Sequence, residues 1–408
     1  MKILHINKFL FPKGGDAIST INQGRLLESH GHEVIYWGMS HPQNPDYAYK
    51  EYFVSHRDYD NPNGVLQNLR MARDILYSFE AKSKIERLVR KVEPDIAHLH
   101  NFTHQISPSV LHVFKKYNIP VVMTMHDYKP VCPVYTLFAN GKLCEKCAHG
   151  KFYNCFLNKC SKNSYIKSLL NCFEMYLHHN ILRLYGLINV YISPSRFLMD
   201  KCTEMGLSGQ IEYLPNTINL AEYTPEYSWK EKDIVYYGRL SHEKGLRRFV
   251  RAMASIPEIT LKIIGDGSDK AQLERIIDEL NIKNVVFKGY MIGDELKNEI
   301  RKSMFTVIPS EWYENNPRSV IESFALGKPV VGAKIGGIPE LVKDDETGLT
   351  FEAGNSGDLR AKIQYLVDNP DKIISMGKNA RAFVEKGLNM EKHYVRLMEI
   401  YNMVLQTK

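Results

Sequence analysis

Phe305-Thr306-Val307-Ile308-Pro309-Ser310-Glu311-Trp312-Tyr313-Glu314-Asn315-Asn316-Pro317-Arg318-Ser319-Val320-Ile321-Glu322-Ser323-Phe324-Ala325-Leu326-Gly327-Lys328-Pro329-Val330-Val331 reads as strand, loop, helix, turn and strand. Four β-branched or aromatic residues, Phe305 to Ile308, make the first strand. Pro317 suits a helix first turn, Ser319 to Leu326 continues the helix, and Gly327 ends it. Strand, crossover helix and strand in this order form a βαβ unit, and a chain built from such units is α/β with parallel sheets.

The same alternation extends in both directions. Downstream of a polar stretch, strands are expected at Ile234 to Gly238, Leu261 to Gly265, Val285 to Gly289, Phe305 to Ile308, Val330 to Ala333 and Leu349 to Phe351. Upstream they are expected at Lys2 to Asn7, Glu33 to Trp37, Asp95 to His100, Val121 to His126, Val190 to Ser193 and Ile211 to Leu214. A helix such as Asp16 to His30 fills each gap. The expected organisation is an N-terminal domain over 1–215, a linker over 216–232, a C-terminal domain over 233–388 and a terminal helix over 389–408. One region breaks the alternation: 129–163 has no periodic element of convincing length, yet holds five of the seven Cys.

Composition bounds the function. A chain of 408 residues has room for two large domains, and 44% hydrophobic with 24% charged residues is ordinary for a globular protein. No run approaches the roughly 18 apolar residues of a membrane span. The opening Met1 to Gly15 has an apolar run broken by His5, Asn7 and Lys8 and no small-residue cleavage site, so it reads as a strand and the protein as cytoplasmic. The net charge of +7 lies wholly in residues 1–217, with 25 Lys+Arg against 18 Asp+Glu; the remainder has 28 of each. Thirteen of the fifteen His also fall in the first part, which suits an anionic partner there, a fluctuation of solvated charge being the plainer reading. No zinc-finger His pair, aromatic RNP segment or basic heptad helix is present, so nucleic acid is not an expected partner.

The quoted stretch also carries chemistry. Glu314 stands just before a helix N-terminus and Glu322 inside that helix. Backbone N–H groups at such a terminus favour phosphate, and flanking carboxylates accept hydrogen bonds from hydroxyls, a combination that suits a nucleotide sugar. Tyr236-Tyr237-Gly238-Arg239-Leu240-Ser241-His242-Glu243-Lys244-Gly245 adds a glycine turn after a strand and two cations five residues apart, able to neutralise a departing diphosphate.

Glu314 and Glu322, with Gly327-Lys328-Pro329-Val330-Val331 behind them, resemble the E-x7-E signature of the retaining GT-B glycosyltransferases of family four, the glycosyl transferases group 1. The resemblance covers nearly the whole chain. It implies two Rossmann-like parallel-sheet domains facing a cleft, with the Cys-rich insertion in the first. It assigns Glu314 to the donor sugar's hydroxyls near the reacting centre, Glu322 to the ribose hydroxyls, and Arg239 and Lys244 to the leaving group. Gly238, Asn315 and Asn316 join the substrate-binding set, and the Gly14-Gly15 loop borders the donor phosphate and acceptor. Gly265 and Tyr290 occupy places where relatives line the base pocket, tight turns being the alternative. His126, in a His-Asp-Tyr pattern, is set against the donor sugar.

Two further patterns remain. Cys144, Cys147, Cys155 and Cys160 span 17 residues and could hold a structural zinc, with Cys132 or His149 as substitutes; free thiols or a disulfide are the other readings. Lysines around them suit anionic lipid or a diphosphate-lipid acceptor. Asp58-Tyr59-Asp60 spells a metal-binding D-x-D without matching context and reads as solvated charge. The expectation is therefore a metal-independent, retaining glycosyltransferase, using a UDP- or GDP-linked donor and a glycan or lipid-linked acceptor in surface-polysaccharide synthesis, peripheral to the inner membrane face and without a catalytic cofactor. A nucleotide-sugar epimerase and a non-catalytic scaffold are its rivals.

Overall fold

The computed structural model of the protein describes residues 1–57 and 64–406, so Asp58-Tyr59-Asp60 lies outside the described residues. The chain forms two units: Met1–Thr136, Glu145–Leu214 and Tyr394–Lys408 make the first, and Leu137–Cys144 with Pro215–His393 the second.

In the first unit the strands are β1 (Lys2–Ile6), β2 (Glu33–Trp37), β3 (Ile96–Leu99), β4 (Val121–Thr124), β7 (Val190–Ser193) and β8 (Gln210–Tyr213). The intervening β5 (Phe138–Ala139) and β6 (Lys142–Leu143) form a separate antiparallel hairpin. The six-stranded sheet has the order β2-β1-β3-β4-β7-β8, every neighbouring pair parallel. Strands β3, β4 and β7 are buried along their whole length, which is why their sequences are mostly apolar and do not alternate with polar residues. The order reverses between β1 and β3, so the loops leaving their carboxyl ends border a switch point where open sheets bind ligands.

The second unit holds β9 (Asp233–Tyr237), β10 (Thr260–Ile264), β11 (Val285–Gly289), β12 (Phe305–Ile308), β13 (Val330–Ala333) and β14 (Gly348–Phe351), again all parallel. Their order, β11-β10-β9-β12-β13-β14, is the doubly wound 3-2-1-4-5-6 arrangement. Its switch point falls between β9 and β12. The loops leaving those two strands begin with Gly238-Arg239 and Pro309-Ser310, the segments singled out by the motifs.

Three boundaries differ from the sequence reading. Residues 216–232 pack within the second unit instead of spanning open space: Leu220, Tyr223 and Trp229 lie on its core, and the Glu226 N–H donates to the Leu326 carbonyl at 3.0 Å. The segment 129–163 is divided, because the β5–β6 hairpin belongs to the second unit while the short helix Tyr153–Leu157 belongs to the first. The terminal helix Met390–Gln406 is shared, and from Tyr394 onward it joins the first unit. There Leu397, Ile400, Tyr401 and Val404 close the core over Ile3, Ile96 and Val122. Among the described residues no helix is long and apolar enough to cross a membrane.

Candidate functional site

The β12 loop brings Glu314 back beneath the strand end. Its carbonyl oxygen accepts the Gly337 N–H at 2.7 Å, and its Oε1 accepts the Ser310 hydroxyl at 2.6 Å. Lys244, seventy residues earlier, donates from Nζ to the same Oε1 at 2.6 Å and sits 5.0 Å over the Trp312 ring. Burial pushes the Glu314 carboxyl up, but Lys244 and the Ser310 hydroxyl outweigh it and hold the group below its usual range. A buried carboxylate and a part-buried ammonium from the two loops of the switch point are thus joined in one pair.

Glu322 lies on the helix Arg318–Ala325, one turn after Arg318, which pairs with it at 3.2 Å. Here burial wins, and the Glu322 carboxyl is raised despite Arg318. Arg239 is half exposed and donates to Ser241 Oγ at 3.1 Å and Glu243 Oε1 at 2.7 Å. Ser310, Trp312, Glu243 and Arg318 were not singled out in the sequence. Position could have found Ser310, four residues before Glu314 at the strand end, and the i,i+4 spacing could have found Arg318.

Other expected residues divide between chain-positioning and open surface. Asn316 Oδ1 accepts the Asn216 N–H at 3.1 Å while Asn216 Nδ2 donates to the Asn316 carbonyl at 2.9 Å, so this residue fastens the loop to the segment after Pro215. Gly238 and Gly265 meet backbone to backbone: with φ at +139°, Gly265 comes so close that a Cβ there would lie 2.0 Å from the Gly238 carbonyl oxygen. That contact accounts for glycine at Gly265. Tyr290 is 65% exposed.

In the first unit, His126 follows β4, and its Nε2 lies 3.0 Å from His100 Nδ1. His100 Nε2 is 3.2 Å from His5 Nε2, which in turn meets Gln23 Oε1 at 3.1 Å. Burial pushes His126 and His5 down, His5 to about 4, so these imidazoles are neutral at pH 7. His98 is held at both nitrogens, by the Tyr401 hydroxyl and Thr124 Oγ1, each at 2.7 Å. Among the described residues, His5, His98 and His100 are the one group of potential ligands drawn within 4.8 Å of one another, but both nitrogens of His98 already have hydroxyl partners. Gly14 is the residue before the helix Gly15–Ser29 and has extended backbone that any residue could adopt.

The described cysteines are not joined in disulfides. Cys155 is surrounded by Cys160, Cys147 and Cys132, whereas Cys144 belongs to the hairpin of the second unit. No step of the reaction is assigned to these thiols. Cys147, Cys155 and Cys172 instead pack with Phe152 and Met175 in a small apolar cluster.

Family models match in two consecutive pieces: the model described as Glycosyltransferase Family 4 over residues 13–222, and that described as Glycosyl transferases group 1 over residues 225–383. The chain belongs to the family described as Glycosyltransferase Family 4. This glycosyltransferase is 25% identical over 357 residues to an uncharacterized 42.6 kDa protein in the cps region of Klebsiella pneumoniae, covering 84% of this chain and 87% of that one. It is 29% identical over 167 residues to an uncharacterized glycosyltransferase of Methanocaldococcus jannaschii, a match over 41% of this chain that spans only 47% of that relative. The fold is that of solved GT-B glycosyltransferases. Sucrose-phosphate synthase from Thermosynechococcus elongatus superposes with TM-score 0.73 at 19% identity, covering 100% of both chains. Anabaena HepE in complex with UDP-glucose gives 0.69 at 16%, covering 99% of this chain and 100% of that one.

The glycosyltransferase's Glu314 owes its place to a small neighbour. Gly336, at φ +59°, leaves no room for a side chain, since a Cβ would lie 2.3 Å from the Glu314 carbonyl oxygen and 2.6 Å from its nitrogen. Gly336→Val is expected to displace Glu314 and reduce sugar transfer by about 10²-fold, the scale of a 1 Å misplacement. Turnover within twofold of wild type would show that the contact does not position the carboxylate.

Proposed function

We propose that this chain is a retaining, metal-independent glycosyltransferase that moves a sugar from a UDP- or GDP-linked donor to a glycan or lipid-linked acceptor at the cytoplasmic membrane face, in surface-polysaccharide synthesis. The part-buried Lys244–Glu314 pair at the β9/β12 switch point carries the reading. An anionic diphosphate is matched by Lys244, Arg239 and the N-terminus of the helix Arg318–Ala325, and the sugar hydroxyls by the ionised Glu314. As the glycosidic bond lengthens, negative charge grows on the departing diphosphate and positive charge on the sugar. Fixed cations lower the first of these without a divalent ion, and the Glu314 carboxylate offsets the second. Glu322, raised by burial and tethered by Arg318, is assigned to the ribose hydroxyls, and the acceptor to the first unit.

The test is thermal unfolding with UDP-, GDP- and ADP-sugars, followed by transfer in EDTA and by NMR of the product anomer. A cognate donor at a hundredfold excess over its Kd should stabilise the protein by about 2.7 kcal/mol. Turnover should survive EDTA, and the product should keep the donor's anomeric configuration. Absence of a shift with every nucleotide sugar refutes the reading; an inverted product refutes retention.

A further inference from the structure

The helix Tyr165–Tyr176 buries a mixed polar and apolar face and exposes an apolar one. Its buried face is Ser168, Asn171, Cys172, Glu174 and Met175, while Ile166, Leu169 and Phe173 are 82%, 52% and 48% exposed. The three apolar positions are spaced i, i+3, i+7 and form one stripe on the side opposite the buried residues. Two of the inward polar groups have partners: Glu174 pairs with Lys129 at 2.7 Å, and Ser168 Oγ accepts the Ser161 N–H at 3.0 Å. Packing within the fold thus accounts for the inward face and leaves the apolar stripe uncovered. The neighbouring turn of helix, Tyr153–Leu157, packs against it and adds Tyr153 and Leu157, 49% and 61% exposed. Among the described residues, seven of the seventeen large hydrophobic side chains that are exposed fall within 153–181. Isolated exposed hydrophobics are ordinary, but a concentrated patch marks an interaction surface.

Charge decides the partner. From Lys146 to Phe173 there are five Lys and no Asp or Glu. Glu174, the next acid, is buried in its ion pair, so the accessible surface of this lobe is cationic. Lys151, Lys162 and Lys167 are exposed, and Lys159 lies 4.4 Å over the Tyr165 ring. A second copy would bring like charges together, whereas a bilayer with anionic headgroups satisfies both the lysines and the apolar stripe.

We propose that the helix Tyr165–Tyr176 and the adjoining Tyr153–Leu157 form a membrane-docking face, with Ile166, Leu169 and Phe173 entering the headgroup–acyl boundary of an anionic bilayer and the lysines facing its phosphates. The proposal extends the membrane-presented acceptor of the transfer reading, but its readout needs no sugar transfer.

The experiment is co-sedimentation of the full chain with vesicles of phosphatidylcholine alone and of phosphatidylcholine mixed with phosphatidylglycerol. Wild type should pellet with the anionic vesicles in a salt-sensitive manner and at least about tenfold more weakly with the neutral ones. The triple variant Ile166→Ser, Leu169→Ser, Phe173→Ser should lose about tenfold or more in partitioning. So should Lys151→Glu, Lys162→Glu, Lys167→Glu, which leaves the apolar stripe intact and decides the matter if the serine variant misfolds. Equal pelleting with both vesicle types, no pelleting, or lysine-variant partitioning equal to wild type overturns the proposal. A concentration-dependent dimer abolished by the serine variant also overturns it, by assigning the face to self-association. Stabilisation by nucleotide sugar, measured separately, reports on the transfer reading, so the two can fail independently.

Discussion

Lys244→Ala is expected to slow sugar transfer by about 10²–10³-fold, the usual cost of deleting one fixed donor that meets charge developing in a transition state. Two effects act together. The leaving diphosphate loses a cation, and Glu314 loses the partner that lies 2.6 Å away and keeps its buried carboxyl ionised. The substitution should therefore also lower stability, by about 1–3 kcal/mol for a buried charge left with a weaker set of partners. Because the folded carboxyl is depressed, its stabilising contribution is present above the unfolded value near 4.3 and fades as pH falls through the folded one; in the variant this acid-side contribution shrinks. Stopped assays across donor concentrations, paired with thermal melts from pH 4 to 7, check both halves. A kcat within a fewfold of wild type would remove Lys244 from the chemistry.

Glu174→Gln is expected to be the most destabilising single change in the first unit, at about 3–5 kcal/mol, because it strands the Lys129 ammonium in the interior. Lys129 is 2% exposed and Glu174 0%, and the ammonium also donates to the Pro133 carbonyl at 3.0 Å. Burial pushes the Glu174 carboxyl up, yet the Lys129 ammonium, with His104 also beside it, prevails and holds it far below the ordinary value. The sign follows: this stabilisation is complete above the unfolded value near 4.3 and is lost only as pH falls toward the much lower folded one. Urea unfolding at pH 7 measures the loss. The double variant Lys129→Met, Glu174→Leu should recover most of it, since removing both charges leaves neither unpaired. If Glu174→Gln alone melts like wild type, the pair contributes nothing to the lobe.

The strands were legible because parallel strands buried on both faces are short apolar runs closed by glycine or polar residues; Glu33–Trp37, Phe305–Ile308 and Val330–Ala333 fall where the sequence placed them. The signature around Glu314 was legible as spacing, but its pairing with Lys244 was not, because seventy residues and a strand crossover separate the two. Likewise the Asn216–Asn316 contact, which draws the expected linker into the second unit, spans a hundred residues. The helix Tyr165–Tyr176 shows a different limit. Periodicity reveals that a helix has an apolar side but not whether that side is covered, and only the buried Glu174–Lys129 pair shows which face turned inward.

The terminal helix sets a rule for anyone cutting this chain apart. Because Leu397, Ile400 and Tyr401 complete a core that otherwise ends at Leu214, neither half of the molecule corresponds to one uninterrupted stretch of sequence. A fragment ending at Leu214 would carry a bare apolar floor, with His98 deprived of the Tyr401 hydroxyl. Isolating that half requires splicing the last fifteen residues back on, or re-routing the termini by circular permutation.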